Sequence, residues 1–198
     1  MKKRHLIILI VAILLLILIA VIIILAMLKK PDDGALDEWQ VWQQSYEEVA
    51  KSREIKQTIT VKKGNIEQFV SDKLFTATNN GYTVTGSEKC LNEVTLDTEE
   101  AYTTTPIDYK LDKNAQFVPT LTLKEEYFSA GYKLTTTVLE GQINAGKESA
   151  VLGLTEQLPA PTANMTLKLT ASVDGVTRIE IAYVSNGSTV NIILTFAY

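Results

Sequence analysis

Residues 164–198 read NMTLKLTASVDGVTRIEIAYVSNGSTVNIILTFAY, and their alternation decides the fold. Leu167, Leu169 and Ala171, then Ile179, Ile181 and Tyr183, then Val190, Ile192, Leu194, Phe196 and Tyr198 recur at every second position. Successive side chains of a strand point to opposite faces, so each segment predicts a half-buried strand. A slip of one residue turns every apolar side chain outward, so the same pattern sets the register. Asn186-Gly187 as a two-residue turn pairs Tyr183 with Val190, Ile181 with Ile192 and Ile179 with Leu194. A three-residue loop Val173-Asp174-Gly175 pairs Leu167 with Ile181, Leu169 with Ile179 and Lys168 with Glu180, with Gly175 in the left-handed position.

The same period appears upstream. Ile55, Gln57, Ile59 and Val61 alternate with Lys56, Thr58, Thr60 and Lys62. Lys63-Gly64-Asn65 turns the chain into a strand through Phe69, Val70, Leu74 and Phe75, and Asn79-Asn80-Gly81 turns it again into Tyr82 to Leu91. Residues 92–118 are acidic, Thr-rich and weakly periodic, which fits a loop, an edge strand or an excursion. Thr122 followed by Glu125 has the spacing of a capping box, so Leu123 to Ala130 is expected as a short helix ended by Gly131. A strand from Tyr132 to Ile143 follows, its Thr135-Thr136-Thr137 triplet favouring extended backbone. Gly146 to Leu152 reads as one or two helical turns, and Pro159-Ala160-Pro161 as an exposed loop.

Ahead of the strands, Leu36, Trp39, Trp42, Tyr46 and Val49 recur at spacings of three and four, placing them on one face of a helix over about Ala35 to Ser52. A sheet with one apolar face must cover it, and this helix is available. The expected fold class is therefore α+β, a mainly antiparallel sheet covered by an amphipathic helix.

Leu6 to Leu28 is an unbroken run of 23 apolar side chains, flanked by Lys2, Lys3 and Arg4 before it and Lys29 and Lys30 after it. A bilayer core takes roughly 20 helical residues, more than the apolar core of a cleaved signal peptide. The run predicts an uncleaved signal anchor, and the N-terminal basic flank keeps the amino terminus in the cytosol. The organisation expected is a cytosolic stub at 1–5, containing His5, a membrane helix at 6–28, a linker at 29–34 broken by Pro31-Asp32-Asp33-Gly34, and an extracytoplasmic domain at 35–198. The expected location is a cell membrane, crossed once, and the Lys-rich start without disulfides has a bacterial character.

Beyond residue 30 lie all 23 Asp and Glu but only 14 of the 19 Lys and Arg, a formal charge of −9. An acidic domain repels phosphate backbones, which excludes nucleic acid as a partner class. Cys90 is the single cysteine, so no internal disulfide forms. With His5 on the cytosolic side, the domain has no imidazole for Ser-His or Cys-His catalysis or for a histidine zinc site. Phosphate-loop, calcium-loop and nucleophile-elbow patterns are missing from the sequence. The acidic runs Glu47-Glu48, Asp97-Thr98-Glu99-Glu100 and Glu125-Glu126 read as solvated surface. A non-enzymatic protein without metal or cofactor is expected.

The order of helix, antiparallel strands, helical insertion and closing meander, with Gly175-Val176-Thr177-Arg178-Ile179 opening the penultimate strand, resembles the LolA/LppX-like lipoprotein carriers over about residues 35 to 198. That resemblance implies a half-open barrel wrapped around helices, its concave face sheltering acyl chains. Unlike those carriers, this chain carries a hydrophobic helix as its tether. The inward residues serve either a packed core or the lining of an open cavity. In the second case the lining is Trp39, Trp42, Tyr46, Ile59, Tyr82, Leu134, Val138, Ile179, Ile181 and Tyr183. Two functions follow: binding or sensing an apolar ligand such as a lipid or lipid-linked precursor, or acting as an envelope adhesion or scaffold module for a protein partner.

Overall fold

The computed structural model describes residues 36–92, 102–112, 114–153 and 159–198. The expected membrane helix, stub and linker lie outside them, and among the described residues no helix is long and apolar enough to cross a membrane. Asp37–Tyr198 forms one compact unit.

Helix α1 runs from Glu38–Glu47 and continues as a 3-10 turn over Glu48–Lys51. It starts at Glu38 because Asp37 caps it: the Gln40 backbone N–H donates to Asp37 Oδ1 at 2.7 Å and the Asp37 N–H donates to Gln40 Oε1 at 3.1 Å. This reciprocal box satisfies two N–H groups at the helix entry. Trp42, Tyr46 and Val49 are buried, as their spacing predicts. Leu36 departs from the expectation: it precedes the cap, lies off the helix and is exposed.

The strands are β1 (Glu54–Lys63), β2 (Ile66–Thr78), β3 (Gly81–Leu91), β4 (Tyr102–Asp112), β5 (Thr120–Leu121), β6 (Lys133–Leu134), β7 (Val138–Gln142), β8 (Leu152–Gly153), β9 (Ala163–Ser172), β10 (Gly175–Ser185) and β11 (Ser188–Ala197). Nine of them make one antiparallel sheet in the order β4-β3-β2-β1-β11-β10-β9-β7-β6, and β5 pairs with β8. The chain thus lays down β1 to β4 outward from the centre and returns through β11 beside β1. The region 92–118 contains an edge strand, β4.

The closing meander has the predicted pairing. Tyr183 faces Val190, Ile181 faces Ile192 and Ile179 faces Leu194 across the Asn186-Gly187 turn, where both residues have positive φ. Leu167 faces Ile181, Leu169 faces Ile179 and Lys168 faces Glu180. The loop before β10 differs. Ser172 pairs with Gly175, so the turn is the two residues Val173-Asp174, and a register shift at Thr177 restores the apolar alignment. A bulge supplies the extra residue that the expected three-residue loop would have held.

Two further expectations are corrected. The 132–143 segment is a hairpin of β6 and β7, with Thr135 to Thr137 at its turn. The Thr135 hydroxyl accepts from the Val138 N–H at 3.0 Å, and the Thr135 N–H donates to the Val138 carbonyl at 2.9 Å. Short hydroxyl side chains compete with strand ladders in this way, which outweighs their β propensity. The expected helix over 123–130 shrinks to one 3-10 turn, Glu125–Tyr127, entered from Lys124 without a side-chain cap. The Thr122 N–H donates instead to the Val151 carbonyl at 2.9 Å, continuing the β5–β8 pairing, and Phe128 bridges to Ile143 as extended chain. The short helix α2, Glu148–Val151, falls within the expected 146–152 segment.

Candidate functional site

The inward face of the sheet is not uniform. Along one row Leu169, Ile179 and Leu194 meet Gln57 and then Lys73; along the next, Leu167, Ile181, Ile192 and Ile59 meet Ser71 and then Glu88. The β9–β11 half is apolar and sealed, with Ile179 at 0% exposure and Ile181 and Tyr183 at 1%, and Ile59 of β1 beside it is also at 0%. These four side chains are buried with the other core residues of the sheet and its covering segments. The β1–β3 half holds the buried polar residues Gln57, Ser71 and Lys73, with Lys73 Nζ 3.3 Å from Glu88 Oε1.

Two ring contacts and one indole hydrogen bond fix α1 at the other end of the core. Trp39 packs on Phe128 and Tyr132 with ring centroids 5.0 and 5.2 Å away. The Trp42 indole N–H donates to the Thr135 carbonyl at 3.0 Å, so the predicted Trp pair clasps the β6–β7 hairpin. Buried tyrosines place their hydroxyls on backbone carbonyls: Tyr46 on Pro119, Tyr82 on Ala50 at 2.7 Å, and Tyr183 on Pro159 at 2.9 Å. Burial raises the Tyr46 and Tyr82 phenols above their ordinary value and pushes Tyr183 up to about 12. These groups remain neutral donors at physiological pH. Leu134 and Val138 are half-buried on the clasped hairpin.

Beside Tyr46 a pocket of about 400 Å³ opens between α1 and the segment 115–122. Tyr46, Val49, Phe117, Val118 and Leu121 supply apolar walls, with Gln43, Glu47 and Gln116 among its polar residues. Gln43 straps the segment to the helix: its Oε1 accepts from the Leu123 N–H at 2.8 Å and its Nε2 donates to the Leu121 carbonyl at 3.2 Å. Phe117 stacks on Phe75 at 4.8 Å and tilts against Tyr82 at 4.5 Å. Of the ten residues expected to line a cavity, Tyr46 lines this pocket. Phe117, Val118 and Leu121 were missed because they lie in a stretch without strand or helix period; the apolar pair Phe117-Val118 inside an acidic, Thr-rich region was the available signal. Among the described residues no group of three or more His, Cys, Asp or Glu is placed to hold a metal ion.

No protein-family model matches the chain. No curated protein matches it either. Among solved structures, LprF from Mycobacterium bovis aligns over 81% of this chain and 92% of its own length, at 14% identity and a TM-score of 0.39.

Proposed function

We propose that this chain is a membrane-anchored, non-enzymatic extracytoplasmic protein that binds or senses an apolar ligand, a lipid or lipid-linked precursor, through a half-open sheet covered by α1. The observation that carries the reading is the pocket beside Tyr46, with apolar walls and polar residues around them. Its volume, about 400 Å³, is within the range of about 300–1,000 Å³ usual for small-molecule sites. The tether is the apolar run Leu6 to Leu28, and the non-enzymatic class rests on the missing imidazoles and catalytic motifs.

Ala50 lines the same pocket and is exposed. Ala50→Trp fills the pocket from its rim without touching the sealed core. Displacement of a fluorescent fatty acid from the full-length chain in nanodiscs tests the reading. Binding by the wild type, weakened about tenfold or more by Ala50→Trp, supports it. Equal binding by both proteins contradicts it.

The scaffold reading has its own supporting observation. The edge strand β4 is long, Tyr102–Asp112, and Thr103 to Pro106 and Asp108 to Lys110 are exposed along it. Edge strands of this kind accept an added strand from a partner. A stable protein complex recovered with the chain and lost on Thr104→Pro, with no extractable lipid, favours this second reading.

A further inference from the structure

We infer that β4 is the seam of a two-fold dimer, in which the edge strands of two copies of this chain pair antiparallel with Tyr109 facing its own counterpart. Among the described residues β4 ends the sheet, its strand neighbour being β3. Its core-side face presents Ile107, Tyr109 and Leu111, which lie opposite Gly86, Val84 and Tyr82. Val84 is fully buried, whereas Tyr109 is 41% exposed and Ile107 and Leu111 are half-buried. The apolar stripe of the core thus runs out to the rim of the sheet.

The rim also presents backbone. Along a strand, side-chain face and hydrogen-bonding direction both alternate with period two, so residues of one face direct their N–H and C=O groups the same way. On β9 the core-side Met165 accepts from the Ile143 N–H and the core-side Ala171 donates to the Thr137 carbonyl, so that face bonds toward β7. β4 runs parallel to β9 in the same sheet, with β3 on the side that β7 takes beside β9. Its core-side residues accordingly bond toward β3, and Thr104, Pro106, Asp108, Lys110 and Asp112 direct their backbone groups to the open edge. Pro106 therefore costs no bond to β3.

Charge and shape select one register. With the two-fold axis passing through the sheet at Tyr109, Ile107 meets Leu111 of the second copy on the core side, and the exposed Asp108 meets its exposed Lys110 on the outer side. Symmetry repeats both pairs. Tyr109 then faces Tyr109 in a non-hydrogen-bonded pair, where side chains approach most closely, while Asp108 and Lys110 exchange both backbone bonds. Pro106 falls opposite Asp112, where it has only to accept. Centring the axis on Asp108 or Lys110 sets that charge against itself, and centring it on Ile107 sets Tyr109 against Thr105 and Lys110 against Thr104. A centre at Leu111 shortens the overlap to the last residues of the strand. The proline and lysine that ordinarily blunt an edge are thus both accommodated at Tyr109.

The seam is independent of the pocket beside Tyr46, and it names the occupant of the edge on which the scaffold reading rests. The test is sedimentation of the full-length chain in detergent micelles, joined to cysteine cross-linking in a Cys90→Ser background. A dimer is expected that Asp108→Lys weakens about tenfold or more, by setting like charges across the seam, and that Asp108→Lys/Lys110→Asp restores. Tyr109→Cys should close a disulfide between copies under copper–phenanthroline, because facing Cα atoms of such a pair lie about 4.5 Å apart, within the disulfide range. Thr105→Cys should not, since its two copies lie several residues apart along the seam. A monomer, a dimer indifferent to Asp108→Lys, or cross-linking as ready from Thr105→Cys as from Tyr109→Cys overturns the inference. A monomeric chain that holds a different protein and loses it on Thr104→Pro also overturns it, and leaves the scaffold reading standing.

Discussion

The indole N–H of Trp42 donates to the Thr135 carbonyl at 3.0 Å, joining residues 93 positions apart. One bond ties the covering helix to the turn of the β6–β7 hairpin, whose Thr135 also closes its own turn through Val138. Trp42→Phe retains most of the buried ring area but leaves that carbonyl without its indole donor. A loss of about 1–3 kcal/mol is expected in urea denaturation. Thr135→Ala removes the hydroxyl and the γ-methyl but leaves the carbonyl and its indole donor in place, so a smaller loss of about 0.5–1.5 kcal/mol is expected.

Alkaline pH acts on buried tyrosines of both the covering helix and the sheet. An unfolded tyrosine titrates near 10, whereas burial pushes Tyr183 up to about 12 and raises Tyr46 as well. The folded chain holds these phenolic protons after the unfolded chain has released them. Their contribution is intact below about pH 10 and is lost as pH rises toward about 12. Thermal midpoints measured across that interval should fall, and Tyr183→Phe should make the fall shallower while weakening the fold at neutral pH through loss of the Pro159 hydrogen bond.

Gly86 sits inside β3 with φ of +151°, and a Cβ there would lie 1.9 Å from the Asp72 carbonyl oxygen. Backbone cannot yield as a flexible side chain can. Gly86→Ala is expected to cost roughly 2–3 kcal/mol and to disturb the β2–β3 pairing, visible as early amide exchange in β3.

Ile181 is 1% exposed. Ile181→Trp forces a larger ring into filled space and should destabilise the domain by about 1–3 kcal/mol, measured by chemical denaturation. An unchanged stability would instead mean that the β9–β11 half of the sheet encloses room for a guest.

The closing meander was legible because its apolar residues alternate without interruption and its turns carry Asn-Gly and Gly. Ile179, Ile181 and Tyr183 could reach the core in only one register. The bulge at Thr177 was not legible, since a two-residue turn plus a bulge and a three-residue loop leave the same apolar pairs aligned. The Thr135 to Thr137 triplet misled because β propensity says nothing of a hydroxyl's local bonds. The capping-box spacing at Thr122 misled because a distant strand, β8, claimed that part of the chain. The pocket wall was hidden for a related reason: Phe117 and Val118 gain their partners from α1 and β2, not from any periodic neighbour.

Native mass spectrometry of the full-length chain, released gently from membranes and followed by solvent extraction, tests the central claim most directly. The account predicts one apolar molecule retained per chain by the wild type and lost from Ala50→Trp. A bare chain mass, unchanged after exposure to mixed lipids, or a lipid retained equally by both proteins would contradict it.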